Sequence, residues 1–196
     1  MESTAVSPTI LPSKFKSSWL SCLGIIKLFI RYEDNPAAEA MGTGWLIAPD
    51  VLVTAGHCVF AKGFHRAVSI RAYQGYDGKG SIGSANVHYR HGIRVATTPQ
   101  WVKGFTKPGD FSVIKLNEPF ANVKSIDYHD TPEKGTQANI GVVGYPGDMK
   151  SRHGEHGAQM YEMFLKTNYD RSNSEYQMLE YVISTFAGKF APPQNM

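Results

Sequence analysis

Residues 44–58 of this chain read GWLIAPDVLVTAGHC, and this stretch decides the fold. Two short β-branched runs flank the Pro49-Asp50 pair, a pattern that predicts a β-hairpin. The second run ends on a tight Ala-Gly corner that carries His57. A general base needs such a placement, because a rigid strand fixes the imidazole and the corner leaves it open to a cleft. Taken alone, His57 is more simply interpreted as a loop histidine with satisfied hydrogen bonds.

A second element supports the catalytic interpretation of His57. Residues 109–116 read GDFSVIKL, in which Asp110 precedes an alternating strand. Such a strand would hold the carboxylate rigid and partly buried. Asp110 follows His57 at long range in the sequence, so the two meet only through folding. Because a general base is commonly oriented by a hydrogen-bonded acidic group, we predict that His57 and Asp110 form such a pair.

Composition places the chain among globular proteins rich in turns. Its 196 residues suit one compact unit, and 42% hydrophobic with 12% aromatic residues exclude a disordered chain. The 19 glycines and 11 prolines are typical of an all-β chain. The formal net charge of +3 is small and the Lys and Arg residues are scattered, which argues against binding of nucleic acid.

Short strands separated by turn clusters cover most of the sequence. No long stretch with helical periodicity competes with them, so the pattern predicts a barrel or a sandwich. The predicted strands are Ile25–Tyr32, Gly44–Ala48, Val51–Thr54, Val68–Tyr73, Asn86–His91, Arg94–Thr97, Phe111–Leu116, Ala138–Tyr145, Gln159–Leu165 and Met178–Thr185.

Several stretches closely resemble the serine endopeptidases of the chymotrypsin fold, and among them the glutamyl endopeptidase branch. These stretches are 42–47 (GTGWLI), 54–58 (TAGHC), 109–116, 144–148 (GYPGD) and 181–188 (YVISTFAG). The resemblance covers about Ile25 to Gly188. It implies an all-β fold of two antiparallel β-barrels and hydrolysis of peptide bonds in a peptide or protein substrate, with no cofactor and no metal.

The resemblance also implies a division of the chain. Residues 1–18 are expected to form a flexible N-terminal arm, and residues 19–196 a trypsin-like peptidase domain. Within that domain, the first barrel would occupy 19–116, a crossover 117–135 and a partial second barrel 136–196.

The nucleophile is where the chain departs from the family pattern. After Thr-x-x-Gly the family continues x-Ser-Gly-x-Pro, whereas residues 189–196 read KFAPPQNM. The resemblance therefore places Phe190, which has no nucleophilic atom, at the position of the serine. It also implies that Gly188 is an oxyanion-hole donor and that Thr185 lines the specificity pocket. The expected consequence is a chain that is inactive as written.

Three accounts of this departure stay open. The sequence is a truncated or mis-spliced product of a protease gene, or a pseudoprotease whose cleft serves as a peptide- or protein-binding module, or a fragment that does not fold. With the second barrel incomplete, the strand Met178–Thr185 would lack later partners. Because unpaired strand edges promote association, we expect the chain to self-associate through this edge.

The two cysteines and an early apolar run leave alternatives open. In many relatives the cysteine after the base pairs with one at the position of Gly42, so here Cys58 is either free or bonded to Cys22. Residues 19–30 are too short to span a bilayer and are interpreted as a first core strand, with a late signal-peptide core as the alternative. The compartment is cytoplasmic by default, without a clear signal peptide, and secreted by family analogy.

Overall fold

The structure, a computed structural model, describes residues 9–10, 24–121, 123, 125–126, 135–147, 150–151 and 154–168. These residues form strands β1 (Thr9–Ile10), β2 (Ile25–Tyr32), β3 (Asn35–Ala48), β4 (Val51–Thr54), β5 (Phe60–Ala61), β6 (His65–Gln74), β7 (His88–Thr97), β8 (Ser112–Leu116), β9 (Gln137–Gly144) and β10 (Tyr161–Asn168). One short helix, α1, covers Pro99–Gly104. Within this described part, no helix is long and apolar enough to cross a membrane.

Six strands close into an antiparallel barrel. Their order is β2-β3-β4-β8-β7-β6, and the pairing of β2 with β6 joins the two ends. Alternate residues of each strand point to the inside of the barrel, and the aliphatic side chains at these positions fill it. They include Ile26, Leu28, Ile30, Leu46, Leu52, Ile70, Ile114 and Leu116. The predicted all-β, chymotrypsin-like fold class is confirmed.

Strand β2 is buried on both of its faces, which explains why its sequence is a mostly apolar run, with Lys27 inside it and the exposed Arg31 near its end. One face belongs to the barrel core. On the other face, Phe29 packs in an aromatic cluster with Tyr73, Tyr76 and Tyr145. Because Tyr145 follows β9, this cluster joins the barrel to the second sheet.

The second sheet contains β1, β10 and β9 in that order, all antiparallel. It connects with the barrel by hydrogen bonds as well as by packing. The backbone N–H of Tyr145 donates to Thr43 Oγ1 over 2.9 Å, and the Tyr76 hydroxyl donates to Glu155 Oε1 over 2.7 Å. The predicted strands Ala138–Tyr145 and Gln159–Leu165 correspond to β9 and β10 with shifted ends.

The prediction of two separate strands, Asn86–His91 and Arg94–Thr97, is wrong, because β7 runs through both. The structure has one strand with a register shift between Gly92 and Arg94. Gly92 lies between the two predicted strands, and a Cβ there would lie 3.0 Å from Ile114 Cγ2 and 3.1 Å from Ile70 Cβ. The glycine therefore allows close packing inside the barrel rather than ending a strand.

Other differences concern polar or short segments. Strand β3 begins at Asn35 rather than Gly44, because pairing with β2 extends it through a stretch without clear alternation. Within the expected N-terminal arm, Thr9 and Ile10 pair with Glu162 and Tyr161 of β10, so these two residues are held by backbone pairing. The predicted strand Met178–Thr185 lies outside the described residues.

Candidate active site

Strand pairing brings the two ends of the candidate site together. Strand β4 leads into the corner that carries His57, and β8 begins just after Asp110. The two strands are antiparallel neighbours in which Thr54 faces Ser112. The buried Ser112 hydroxyl donates to the carbonyl oxygen of Ala55 over 2.8 Å and so holds the corner against the start of β8.

The predicted contact between His57 and Asp110 is present. The His57 Nδ1 atom lies 2.9 Å from Asp110 Oδ2 and 3.2 Å from Oδ1. The backbone N–H of His57 also donates to Asp110 Oδ1 over 2.8 Å. The His57 side chain is 56% exposed and that of Asp110 27%. A neutral imidazole that donates from Nδ1 carries its lone pair on Nε2, which is the arrangement a general base requires.

A buried tyrosine fixes the backbone of His57. The Tyr32 hydroxyl, from the end of β2, donates to the carbonyl oxygen of His57 over 2.7 Å. Burial raises the pKa of Tyr32 above its usual range, with a further increase from the field of Cys58, so this hydroxyl stays a donor at neutral pH. Its position could not be inferred from the sequence, where Tyr32 is one of several aromatic residues in strands.

Trp101 covers the corner from the other side. A Cβ on Gly56 would lie 2.8 Å from both Cγ and Cδ1 of the Trp101 ring and 3.1 Å from Asp110 Oδ1. Glycine at this corner is therefore a steric requirement, since any side chain would displace either the indole or the carboxylate. The indole Nε1–H donates to the carbonyl oxygen of Phe60 over 2.6 Å, which fixes the ring in place.

Helix α1, which no pattern in the sequence predicts, positions Trp101 and Asp110 together. Thr98 caps the helix by accepting from the backbone N–H of Trp101 over 3.1 Å. The same hydroxyl donates to the carbonyl oxygen of Gly109, next to Asp110, over 2.6 Å. A threonine followed by proline is a recognised helix-start signal, but six residues are too few for a periodic pattern.

The environment raises the pKa of His57 from its usual 6.5 to about 9. Hydrogen bonding with the Cys58 side chain contributes most, and burial acts in the opposite direction. The field of Cys58 and the hydrogen bond and charge of Asp110 add further to the increase. Cys58 and Asp110 therefore both favour the charged form of the ring, which is the form that this pair would stabilise once Nε2 has accepted a proton.

Cys58 is buried, and its thiol is free among the described residues. Its sulfur lies against Gly42 on β3, where a Cβ would be 3.0 Å away. No three His, Cys, Asp or Glu side chains come together as a metal site within the part of the chain that the structure describes. Thr185, Gly188 and Phe190 lie outside the described residues, and so does Cys22.

The chain belongs to the Trypsin family, whose sequence profile matches residues 27–182. It is 26% identical to the glutamyl endopeptidase of Bacillus licheniformis over 163 residues, which are 77% of this chain and 44% of that protein. It is 29% identical to an extracellular metalloprotease of Bacillus subtilis over 129 residues, which are 63% of this chain and 38% of that protein. The chain thus spans less than half the length of these two relatives.

Solved structures agree with this fold. The chain is similar to a Glu endopeptidase in complex with MPD, with a TM-score of 0.69 and 21% identity over 93% of this chain and 76% of the other. The protease Anisep from Arthrobacter nicotinovorans has a TM-score of 0.61 and 16% identity over 80% of this chain and 69% of the other. Similarity to a glutamyl endopeptidase in sequence and to a Glu endopeptidase in fold supports the branch that the motifs indicate.

Proposed function

We propose that this chain carries the base and the orienting acid of a serine endopeptidase that hydrolyses peptide bonds in peptide or protein substrates. The contact between His57 Nδ1 and Asp110 Oδ2 at 2.9 Å is the observation that carries the proposal. In this mechanism His57 Nε2 accepts the proton of the nucleophilic hydroxyl and later returns it to the leaving amine. Asp110 stays ionised throughout and stabilises the imidazolium.

The elements around the pair support the proposal because they fix both partners before a substrate binds. Tyr32 holds the carbonyl group of His57, and Thr98 holds the carbonyl group next to Asp110. Trp101 packs against the corner between them. Such pre-arranged support is expected where orientation of a base contributes to the rate.

The identity of Phe190 limits what this chain does by itself. The motif places Phe190 at the position of the nucleophile, and a phenylalanine offers no proton for His57 to accept and no atom to attack a carbonyl. Gly188 would still supply an oxyanion-hole amide, and Thr185 would line the specificity pocket. We therefore propose that the chain as written forms no acyl-enzyme and is inactive as a protease.

An active-site fluorophosphonate probe tests this proposal. It labels a serine only when the base, nucleophile and oxyanion hole are assembled. The unmodified chain should neither be labelled nor cleave casein or glutamyl peptides. A Phe190→Ser variant should stay inactive, because Ala191-Pro192-Pro193 cannot form the usual Ser-Gly turn.

A chimera supplies the positive arm of the experiment. Replacing the residues after Gly188 with a family-type Ser-Gly-x-Pro segment and its following strands should restore both labelling and cleavage. In that chimera, His57→Ala should abolish both activities. Labelling of the unmodified chain at Ser184 or any other residue would overturn the assignment of Phe190. An active His57→Ala chimera would overturn the assignment of the base.

The second candidate function is that of a pseudoprotease, a peptide- or protein-binding module built on the same cleft. The residue at position 190 is the observation that favours it. Saturable binding of an uncleaved peptide to the unmodified chain would support this function, whereas absence of binding to the folded chain would exclude it. The self-association predicted for Met178–Thr185 concerns residues outside the described part and stays a prediction.

A further inference from the structure

Phe105 has an unusual backbone conformation next to the candidate active site. Among the described residues other than glycine, only His65 and Phe105 have a positive φ. Phe105 follows α1 with φ 49° and ψ 39°, and its backbone N–H donates to the carbonyl oxygen of Trp101 over 2.9 Å. Glycine or asparagine usually occupies this position after a helix, because a Cβ disfavours the left-handed conformation.

The ring of Phe105 contacts two aromatic partners. It stacks on Phe60 with a centroid distance of 5.9 Å and an interplanar angle of 19°. It also meets Trp101 edge-to-face, with a centroid distance of 5.3 Å and an angle of 83°. Such pairs stabilise a packed cluster beyond the effect of area burial. The ring contacts therefore offset a backbone conformation that a large side chain would otherwise avoid.

Trp101 connects this cluster to the catalytic pair. Its indole donates to the carbonyl oxygen of Phe60, so the Phe60 backbone and the Phe105 ring both fix the indole. The indole in turn packs on Gly56, the residue before His57. The centroids of the Trp101 and His57 rings are 6.3 Å apart. A shift of the indole would therefore reach both the imidazole and the Asp110 carboxylate.

We propose that Phe105 is a positioning residue for the His57–Asp110 pair, acting through Trp101. This inference rests on the proposed roles of His57 and Asp110. The left-handed backbone aims the Phe105 ring at the gap between Phe60 and Trp101, and the ring then presses the indole onto the corner at Gly56. If Phe105 only ended the helix, its ring would not be needed. If the ring only packed in the aromatic cluster, its removal would leave the His57–Asp110 contact unchanged.

The test compares Phe105→Gly with Phe105→Tyr in the full chain. Glycine keeps the left-handed conformation and removes the ring, whereas tyrosine keeps both. NMR of His57 reports on the pair through two readouts: the downfield Nδ1 proton bonded to Asp110, and the imidazole pKa. We expect Phe105→Gly to broaden or lose the Nδ1 resonance and to lower the pKa by about half a pH unit, a threefold change in protonation equilibrium. Phe105→Tyr should match the unmodified chain.

Two results would overturn the proposal. One is a folded Phe105→Gly variant whose His57 resonance and pKa are unchanged. Should that variant not fold, Phe60→Leu removes the stacking partner without altering α1. The second result that would overturn the proposal is an unchanged His57 resonance in Phe60→Leu. Neither readout needs a nucleophile or a substrate. Failure here would leave the proposed proteolytic roles standing with another residue holding Trp101, and absence of proteolysis would not affect this test.

Discussion

A Cβ atom built on Gly42 would lie 3.0 Å from the sulfur of Cys58. An S–S bond of about 2.04 Å with an ordinary bond angle at sulfur gives nearly the same separation between a Cβ and the partner sulfur. Gly42 on β3 and Cys58 after β4 are therefore already at the right distance for a disulfide, although only the second of these positions is a cysteine.

This spacing predicts that Gly42→Cys forms a disulfide with Cys58 under oxidising conditions. The bond should raise the free energy of unfolding by about 3 kcal/mol, the value for a loop of about 15 residues. Urea denaturation of the oxidised and reduced forms measures it, in a Cys22→Ser background. Gly42→Ser is the matched control, because it adds a side chain of similar size without a thiol. Two free thiols in the folded, oxidised variant would contradict the prediction.

The second prediction concerns the charge of the imidazole. His57 should titrate with a midpoint near 9, measured by NMR of its ring carbons. Because this folded pKa exceeds the unfolded value of 6.5, protonation of His57 stabilises the fold fully below pH 6.5, and this contribution disappears as the pH rises through 9. Cys58→Ala and Asp110→Asn should each lower the midpoint. A midpoint near 6.5 in the unmodified chain would refute the environment described for His57.

Lys27 should make stability depend on pH in the opposite direction to His57. Its side chain is fully buried and its Nζ atom has no hydrogen-bond partner in the described part, with the Phe29 and Tyr145 rings 5.3 Å and 5.4 Å away. Desolvation lowers the pKa from 10.5 to about 8, although the charge of Glu155 acts to raise it. Protonation therefore destabilises the fold below pH 8, and stability should increase as the pH rises from 8 to 10.5.

Substitution of Lys27 tests this account. Lys27→Met should raise the free energy of unfolding at pH 7 by about 2 kcal/mol and remove the increase between pH 8 and 10.5. Thermal unfolding across this pH range provides the measurement. Lys103→Met, at an exposed lysine of α1, is the control and should change stability little. A destabilised Lys27→Met variant would mean that the ammonium has a favourable partner.

The corner before the base should not tolerate even a methyl group. Gly56→Ala would place a Cβ 2.8 Å from two atoms of the buried Trp101 ring. We expect a loss of about 2 kcal/mol in urea denaturation and a weakened Nδ1 proton resonance of His57. Gly80→Ala serves as the control, since a Cβ there meets nothing within 4 Å. Equal stability of the two variants would show that Trp101 is not held where the structure places it.

The strands that carry His57 and Asp110 were predictable because their signals are local and strong. β-Branched runs define β2, β4 and β8, and each partner of the pair follows or precedes one of those strands. The roles of both residues stay predictions, as do those of Thr185, Gly188 and Phe190. The contact itself follows from pairing of β4 with β8, which alternating patterns favour but do not specify.

What the sequence did not reveal depends on tertiary contacts. Tyr32 acts on the site through one hydrogen bond to the carbonyl group of His57, and Trp101 acts through its packing on Gly56. No sequence pattern marks either contact. Gly92 resembles a strand break until the packing against Ile70 and Ile114 is known. Helix α1 is too short to show a period. In each case the deciding information is a distance between residues remote in sequence.

The hydrogen bonds described around His57 and Asp110 all come from residues 32–112. On the proposed roles of these two residues, proton transfer is therefore a property of this part of the chain alone. The family motif places the attacking group at the position of Phe190, which lies outside it. Substitutions around Phe190 would then change or remove the attacking group and leave the partners of each of these hydrogen bonds unaltered.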